Sequence, residues 1–246
     1  MRIENMNNLD LNSEIYESQK DYFKKYYSDS FKLNQGTDII LETINTFCPG
    51  GRWLDVGGGS ATLFWSLMTR EIQSISCSDI SIEALKILYD FVNTKSEPPQ
   101  CYCDVIDMYR LSNDIFESNK KRIKEYLVFD SLHEWPRNIT EEPFDFITEF
   151  GVFGLSKSRF QFRECFKYLK NALADNGVAV GANWVLSKSY SKQRQHDNSY
   201  INCNEIIQAC TQANLTILRC VEVQILNDSN YERVLIWAAR NKKQDY

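Results

Sequence analysis

RWLDVGGGSATLFWSL, Arg52 to Leu67, is the stretch whose reading decides the fold. A short apolar run ends in the acidic Asp55, passes through Gly57, Gly58 and Gly59, and re-enters a helix-like pattern. Each glycine costs backbone entropy, so three together mark a place where main chain must be bare or unusually bent. A strand, a glycine turn and a helix in that order open a doubly wound α/β sheet.

The flanking sequence continues the alternation. Upstream, SEIYESQKDYFKKYYSD and TDIILETINTF carry apolar residues at three- and four-residue spacings, so residues 12–47 read as helix, stopped by Cys48-Pro49-Gly50-Gly51. Downstream, QSISCSD reads as a strand and SIEALKILYDFVN as a helix with Ser81 as N-cap. QCYCDV reads as a strand that points Cys101 and Cys103 the same way. SNDIFESNKKRIKEY reads as a polar helix and YLVFD as a strand. FDFITEF is a strand, SRFQFRECFKYLKNAL a helix, and Asp175-Asn176-Gly177 a turn into the strand GVAVGANWV. The helix NEIIQACTQANL precedes the strands TILRCVEVQIL and ERVLIWAARN. The turn Asn227-Asp228-Ser229-Asn230 between them predicts a hairpin and an antiparallel edge. Strand-helix alternation implies a mainly parallel sheet, whose ligands bind at the carboxyl ends of the strands.

Composition excludes several function classes. The chain has 246 residues, 43% hydrophobic and 25% charged, with formal charge −5, which gives no electrostatic footprint for nucleic acid. Lys120-Lys121-Arg122-Ile123-Lys124 is expected as a solvated helix face. The polar start MRIENMNNLDLNSE is unlike a signal peptide, and no apolar run is long enough to span a membrane. Eight cysteines without CxxC pairs are expected to be reduced thiols of a cytoplasmic protein. Only two histidines, His133 and His196, leave a zinc site or a Ser-His-Asp triad poorly supported, so no metal is expected.

The glycine loop is neither GxGxxG, because Ser60, Ala61 and Thr62 follow Gly59, nor a P-loop, because it has no lysine. What remains is acidic-x-Gly-x-Gly, with Asp55 awkward beside a polyphosphate and natural opposite an amine or a cation. A tight turn with nothing bound is the plainer reading. Asp79 ends the second strand, where a carboxylate accepts hydrogen bonds from both ribose hydroxyls; its other reading is a helix N-cap. Together the two features describe a pocket for a phosphate-free nucleoside with an amino-acid tail, which is S-adenosylmethionine.

From about Tyr22 to Lys242 the chain resembles the nicotinamide, phenylethanolamine and thioether methyltransferases, which use S-adenosylmethionine on small molecules. The resemblance implies one Rossmann-like methyltransferase domain over residues 1–246, a seven-stranded mainly parallel sheet with an antiparallel C-terminal hairpin, and residues 1–47 as a helical lid. DYFKKYYSD is similar to the family's tyrosine-bearing helix, which implies Tyr22 and Tyr27 against the cofactor, with Tyr22 also near the reaction. LDVGGGSAT matches the first cofactor motif, implying Gly57, Gly58 and Gly59 at the methionyl tail and Asp79 at the ribose. VFDSLHEWP is similar to the adenine segment, implying Asp130 and Ser131 there, while His133 and Trp135 are expected to pack at the surface. GANWVLSKSY and DNSYINCNEIIQAC are similar to the acceptor segments, implying that Asn183, Ser187 and Ser199 face the substrate. YERVLIWAARNK is similar to the last strand. Two positions depart from the pattern. Asn183 stands where nicotinamide-using members have aspartate, and Ile80 stands where an aromatic adenine shelf is usual.

Glu149, at the end of FDFITEF, is the candidate to receive a proton or attract a cationic acceptor, and Trp184 helps to enclose the site. The reading is methyl transfer to a nitrogen of a neutral or zwitterionic small molecule, releasing S-adenosylhomocysteine, by a monomer. Methylation of sulfur, oxygen or carbon, internal reaction of the cofactor's tail, and a non-catalytic cofactor sensor are the alternatives.

Overall fold

The computed structural model describes residues 1–7, 9–226 and 228–242; Asn227, at the start of the expected hairpin turn, lies outside the described residues. In chain order the elements are α1 Ser13–Tyr27, α2 Thr37–Phe47, β1 Gly51–Val56, α3 Thr62–Trp65, β2 Ile72–Asp79 and α4 Ile82–Asn93. There follow α5 Gln100–Tyr109, α6 Ile115–Arg122, β3 Ile123–Val128, α7 Arg137–Thr140, β4 Phe144–Phe150 and α8 Arg159–Ala172. The chain closes with β5 Leu173–Leu186, α9 Lys188–Arg194, α10 Cys203–Gln212, β6 Leu215–Gln224 and β7 Tyr231–Asn241.

The seven strands form one sheet in the order β3-β2-β1-β4-β5-β7-β6. β1 to β5 run parallel, and β7 pairs antiparallel with both β5 and β6. The reversed strand β7 lies inside the sheet, and its pairing with β6 forms the expected antiparallel edge. Val234 to Ala239 are all buried, as befits a strand covered on both faces, whereas β6 is only half-buried along most of its length and forms the edge. Helices cover both faces over two apolar layers, one around Trp53, Phe64 and Tyr102, the other around Phe162, Phe166 and Trp237.

QCYCDV is helix, not strand. Pro99 precedes α5, and Cys101, Tyr102, Val105 and Ile106 form its buried stripe. That spacing is helical, and its continuation to Tyr109 lies beyond the six residues read as a strand. Cys101 is buried and Cys103 half-buried, so the two thiols do not share a face. Lys120 is also corrected. Its side chain is 5% exposed, with Nζ 3.0 Å from Glu117, donating to the Thr94 carbonyl and lying 4.4 Å from the Phe116 ring centroid.

Residues 1–47 hold two helices that pack in different places. Arg2 bridges antiparallel to Leu127 on the outer edge of β3, and the Ile3 amide donates to the Tyr126 carbonyl. α2 buries Ile40, Leu41 and Ile44 and packs on β5 and β7. Only α1, which has no buried residue, lies on α4 and the glycine turn. Among the described residues no helix is long and apolar enough to cross a membrane.

Candidate active site

The carboxyl ends of β1, β2 and β3 lie side by side, and the glycine loop leaves the first of them. Gly57 and Gly59 have φ of +63° and +49°, a conformation glycine adopts without strain. The loop is also hemmed in by the protein itself. A Cβ on Gly57 would stand 2.0 Å from Val152 Cγ2, and one on Gly58 1.9 Å from Asp55 Oδ2. At Gly59 it would be 3.0 Å from Asp79 Oδ2.

Asp55 lies wholly buried beneath this loop. Its Oδ1 accepts from the Thr148 hydroxyl at 2.6 Å, and that hydroxyl accepts from Trp53 Nε1 at 2.7 Å. Oδ2 has no partner, and neither has the neighbouring Thr62 hydroxyl. Burial pushes the Asp55 carboxyl up to about 6, with the hydrogen bond from the Thr148 hydroxyl pulling the other way.

Asp79 is not the cap of α4. Ser81 takes that role, its hydroxyl accepting from the Ala84 amide at 3.2 Å. Asp79 Oδ1 accepts from the Ser81 amide at 2.8 Å, which leaves Oδ2 facing the glycine loop. Burial lifts this carboxyl to about 6 as well, against the amides of Ser81 and Ile80. Ile80 beside it is 66% exposed, an apolar surface at the mouth of the site.

The Phe129 amide donates to the Asp79 carbonyl, which brings the segment after β3 alongside. There Asp130 holds its own turn: Oδ1 accepts from the Leu132 amide at 3.0 Å, and Oδ2 lies 2.7 Å from His133 Nδ1. Ser131 is buried and its carbonyl accepts from Trp135 Nε1 at 3.0 Å. Trp135 is core, not surface, and meets Phe129 edge-on with ring centroids 5.5 Å apart.

α1 reaches the site from above. Asn12 caps it, and the Asn12 amide donates to Glu83 Oε1 at 3.1 Å, which ties the start of α1 to the first turn of α4. Tyr27 points inward, 5.4 Å from Phe64 and 6.3 Å from Trp65 between ring centroids. Tyr22 remains half-exposed above it, 4.8 Å from Tyr26.

On the acceptor side Glu149, Asn183, Ser187 and Ser199 all make contacts within the protein. Glu149 and Asn183 are both fully buried and face each other, not a cavity open to solvent. Successive strand residues point to opposite faces: Thr148 meets Asp55 on one side, which turns Glu149 to the other. Ser187 caps α9 and donates to the Ser229 carbonyl at 2.6 Å. Ser199 is exposed in a turn where its amide donates to Asp197 Oδ1 at 2.9 Å.

The structure also gathers residues around Trp184, which the sequence places at the site, and adds Tyr190, Tyr231 and Asn198, which sequence reasoning passed over. The Trp184 ring lies 3.5 Å from where a Cβ of Gly151 would stand, and Tyr190 and Tyr231 meet edge-on at 6.1 Å. Asn198, buried in the loop before α10, is a three-way tie. Its Nδ2 donates to the carbonyls of Gly154 and Trp184, and its Oδ1 accepts from the Leu186 amide. No spacing signal distinguishes it from any other loop asparagine. Asn198→Ala is expected to cost about 2 kcal/mol, since the Trp184 carbonyl and the Leu186 amide of β5 lose their side-chain partner. A shift of the urea unfolding midpoint measures it.

The sequence matches no protein-family model and no curated protein. Solved structures do match. One is the N-methyltransferase NodS from Bradyrhizobium japonicum WM9 with S-adenosyl-L-homocysteine, with TM-score 0.59 and 15% identity over 93% of this chain and 98% of that one. Another is phosphoethanolamine N-methyltransferase 2 from Haemonchus contortus with S-adenosyl-L-methionine, at TM-score 0.59 and 14% identity over 94% of this chain and 58% of that one. A third is a SAM-dependent methyltransferase from Aquifex aeolicus, at TM-score 0.54 and 14% identity over 94% of this chain and all of that one. At this level of identity the likeness shows the fold, which is that of the class I S-adenosylmethionine-dependent methyltransferases.

Proposed function

We propose that this chain is an S-adenosylmethionine-dependent methyltransferase that methylates a nitrogen of a small molecule. The observation that carries the reading is Asp79: with Ser81 capping α4, its Oδ2 is left facing the glycine loop at the end of β2. A carboxylate so placed suits a pair of ribose hydroxyls. The residues fit the cofactor elsewhere too. Gly57 to Gly59 present main chain without side chains, and the orphaned Asp55 Oδ2 beneath them supplies negative charge on the side of an amino-acid tail.

When bound, S-adenosylmethionine supplies an activated methyl group on a sulfonium. The protein's own part is to hold and to dry. Asp79 binds the ribose, Ile80 gives an apolar surface to the base, and Asp130 and Ser131 lie toward its polar edge. Tyr27, wedged against Phe64 and Trp65, and Tyr22 above it exclude water from the methionyl end. Trp184, Tyr190 and Tyr231 wall the acceptor, with Ser187 and Ser199 holding the loops behind them. An apolar wall suits charge that is dispersed during the reaction, because the departing positive charge is disfavoured there before transfer.

With Glu149 sealed, no carboxylate reaches the acceptor from β4, so an acceptor nitrogen must arrive with its lone pair free. A heteroaromatic or weakly basic amine meets that condition at neutral pH. The names of the similar NodS and phosphoethanolamine enzymes point to nitrogen as well. Turnover with a panel of heteroaromatics and amines, read by mass spectrometry, tests the proposal. S-adenosylhomocysteine with a methylated amine is the expected result. Methylthioadenosine identifies tail chemistry, methylated thiols or alcohols another acceptor atom, and binding without turnover of any acceptor a sensor.

A further inference from the structure

We infer that Glu149 is an uncharged carboxylic acid that positions the bend after β4 against the glycine loop, a positioning residue and not a proton acceptor. Its side chain has no exposure and no cation beside it. Oε2 accepts two hydrogen bonds, from the Phe153 amide at 3.1 Å and from Asn183 Nδ2 at 3.2 Å, both neutral donors. Oε1 has no partner and lies against Gly181 and the Trp237 indole. A carboxylate under those conditions is poorly solvated, and the protonated form is the stable one. The groups around it come from every element packed on this side. They are Asn183 on β5, Trp237 on β7, the amides of Val152 and Phe153, and the Cys165 thiol of α8, itself held in its neutral form by burial. None carries a charge near neutral pH.

What the carboxyl holds is consequential. Asn183 relays the contact, its Oδ1 accepting from Trp237 Nε1 at 3.3 Å, so three strands are joined through one neutral chain of hydrogen bonds. By fixing the Phe153 amide, Glu149 sets the bend at Gly151 and Val152. One side of that bend is Val152, packed on Gly57; the other is Gly151, under the Trp184 ring. The same carboxyl thus sets both the floor of the cofactor loop and the wall of the acceptor side.

Infrared spectra and deuterium exchange of the full chain test this. At pH 8, where Asp55 and Asp79 with values of about 6 are ionised, wild type should still show the carbonyl stretch of a protonated carboxylic acid, absent from Glu149→Gln. Exchange over residues 150–156 should be unchanged in Glu149→Gln, which keeps both hydrogen bonds. It should rise at least tenfold in Glu149→Asp, whose shorter side chain cannot reach the Phe153 amide. The ligand assay, S-adenosylhomocysteine titration, rests on the proposed function: Glu149→Gln should bind within twofold of wild type and Glu149→Asp at least tenfold more weakly. Absence of the infrared band, or equal exchange in both variants, overturns the inference. If wild type itself takes up no S-adenosylhomocysteine, the proposed function fails while the spectra and exchange still decide the role of Glu149.

Discussion

Gly58→Ala is expected to remove cofactor binding and to destabilise the fold by about 3 kcal/mol, lowering the melting temperature by roughly 6–12 °C. The backbone at Gly58 is ordinary for any residue, with φ of −68°, so the effect comes from space and not from torsion. An added methyl would stand 1.9 Å from Asp55 Oδ2 and 2.5 Å from the Thr62 hydroxyl. Asp55 cannot swing aside, because its other oxygen is held by Thr148, which in turn holds Trp53 in the core. The loop must lift instead, and the main chain that faces the ligand lifts with it. Gly154→Ala is the matched control. Its methyl would meet nothing nearer than 3.7 Å, so it should change stability by no more than about 0.5 kcal/mol. Differential scanning fluorimetry with and without S-adenosylhomocysteine separates the two. A Gly58→Ala protein that melts with wild type and still shifts with ligand would mean that the loop does not have this packing.

That control bears on what was legible in the sequence. The glycines were read as room for a ligand, and the structure shows that Val152, Asp55 and Asp79 occupy much of that room from below. The motif is at once a packing requirement and, at the half-buried Gly57 and Gly58, an open main chain, and spacing in the sequence is the same for both. Elements with long periodic runs, such as α4 with Ser81 and α8 with Ser158 at their N-caps, were readable because capping and amphipathicity agree there. QCYCDV was not, because six residues cannot separate a strand from a helix whose stripe continues beyond them. Glu149 and Asn183 meet each other in the core instead of facing open space, which the sequence alone does not show. One residue along a strand turns a side chain to the opposite face of the sheet, and the contact that decides it, Thr148 with Asp55, joins residues 93 apart in the chain.

Asp79→Ala should weaken S-adenosylhomocysteine binding about 100-fold, near 3 kcal/mol, because two charge-assisted hydrogen bonds to the ribose are lost together. Asp79→Asn should recover part of this, since an amide oxygen still accepts but carries no charge. The pH dependence is the sharper measurement. Burial holds the Asp79 carboxyl at about 6, so the ionised, ribose-binding form dominates at pH 7 and is scarce at pH 5. Affinity should therefore fall up to about tenfold for each pH unit below 6, and Asp79→Asn should flatten that fall. Without ligand the sign reverses. A carboxyl raised from 3.8 to about 6 on folding binds more protons folded than unfolded, so stability declines as pH rises through that window. Asp55 shifts in the same direction and should leave part of that slope in Asp79→Asn. Above pH 6 the asparagine protein should thus be the more stable of the two and the weaker binder. Isothermal titration at pH 5, 6, 7 and 8 with wild type and Asp79→Asn reads all of this, and parallel curves for the two proteins would rule out Asp79 as the ribose ligand.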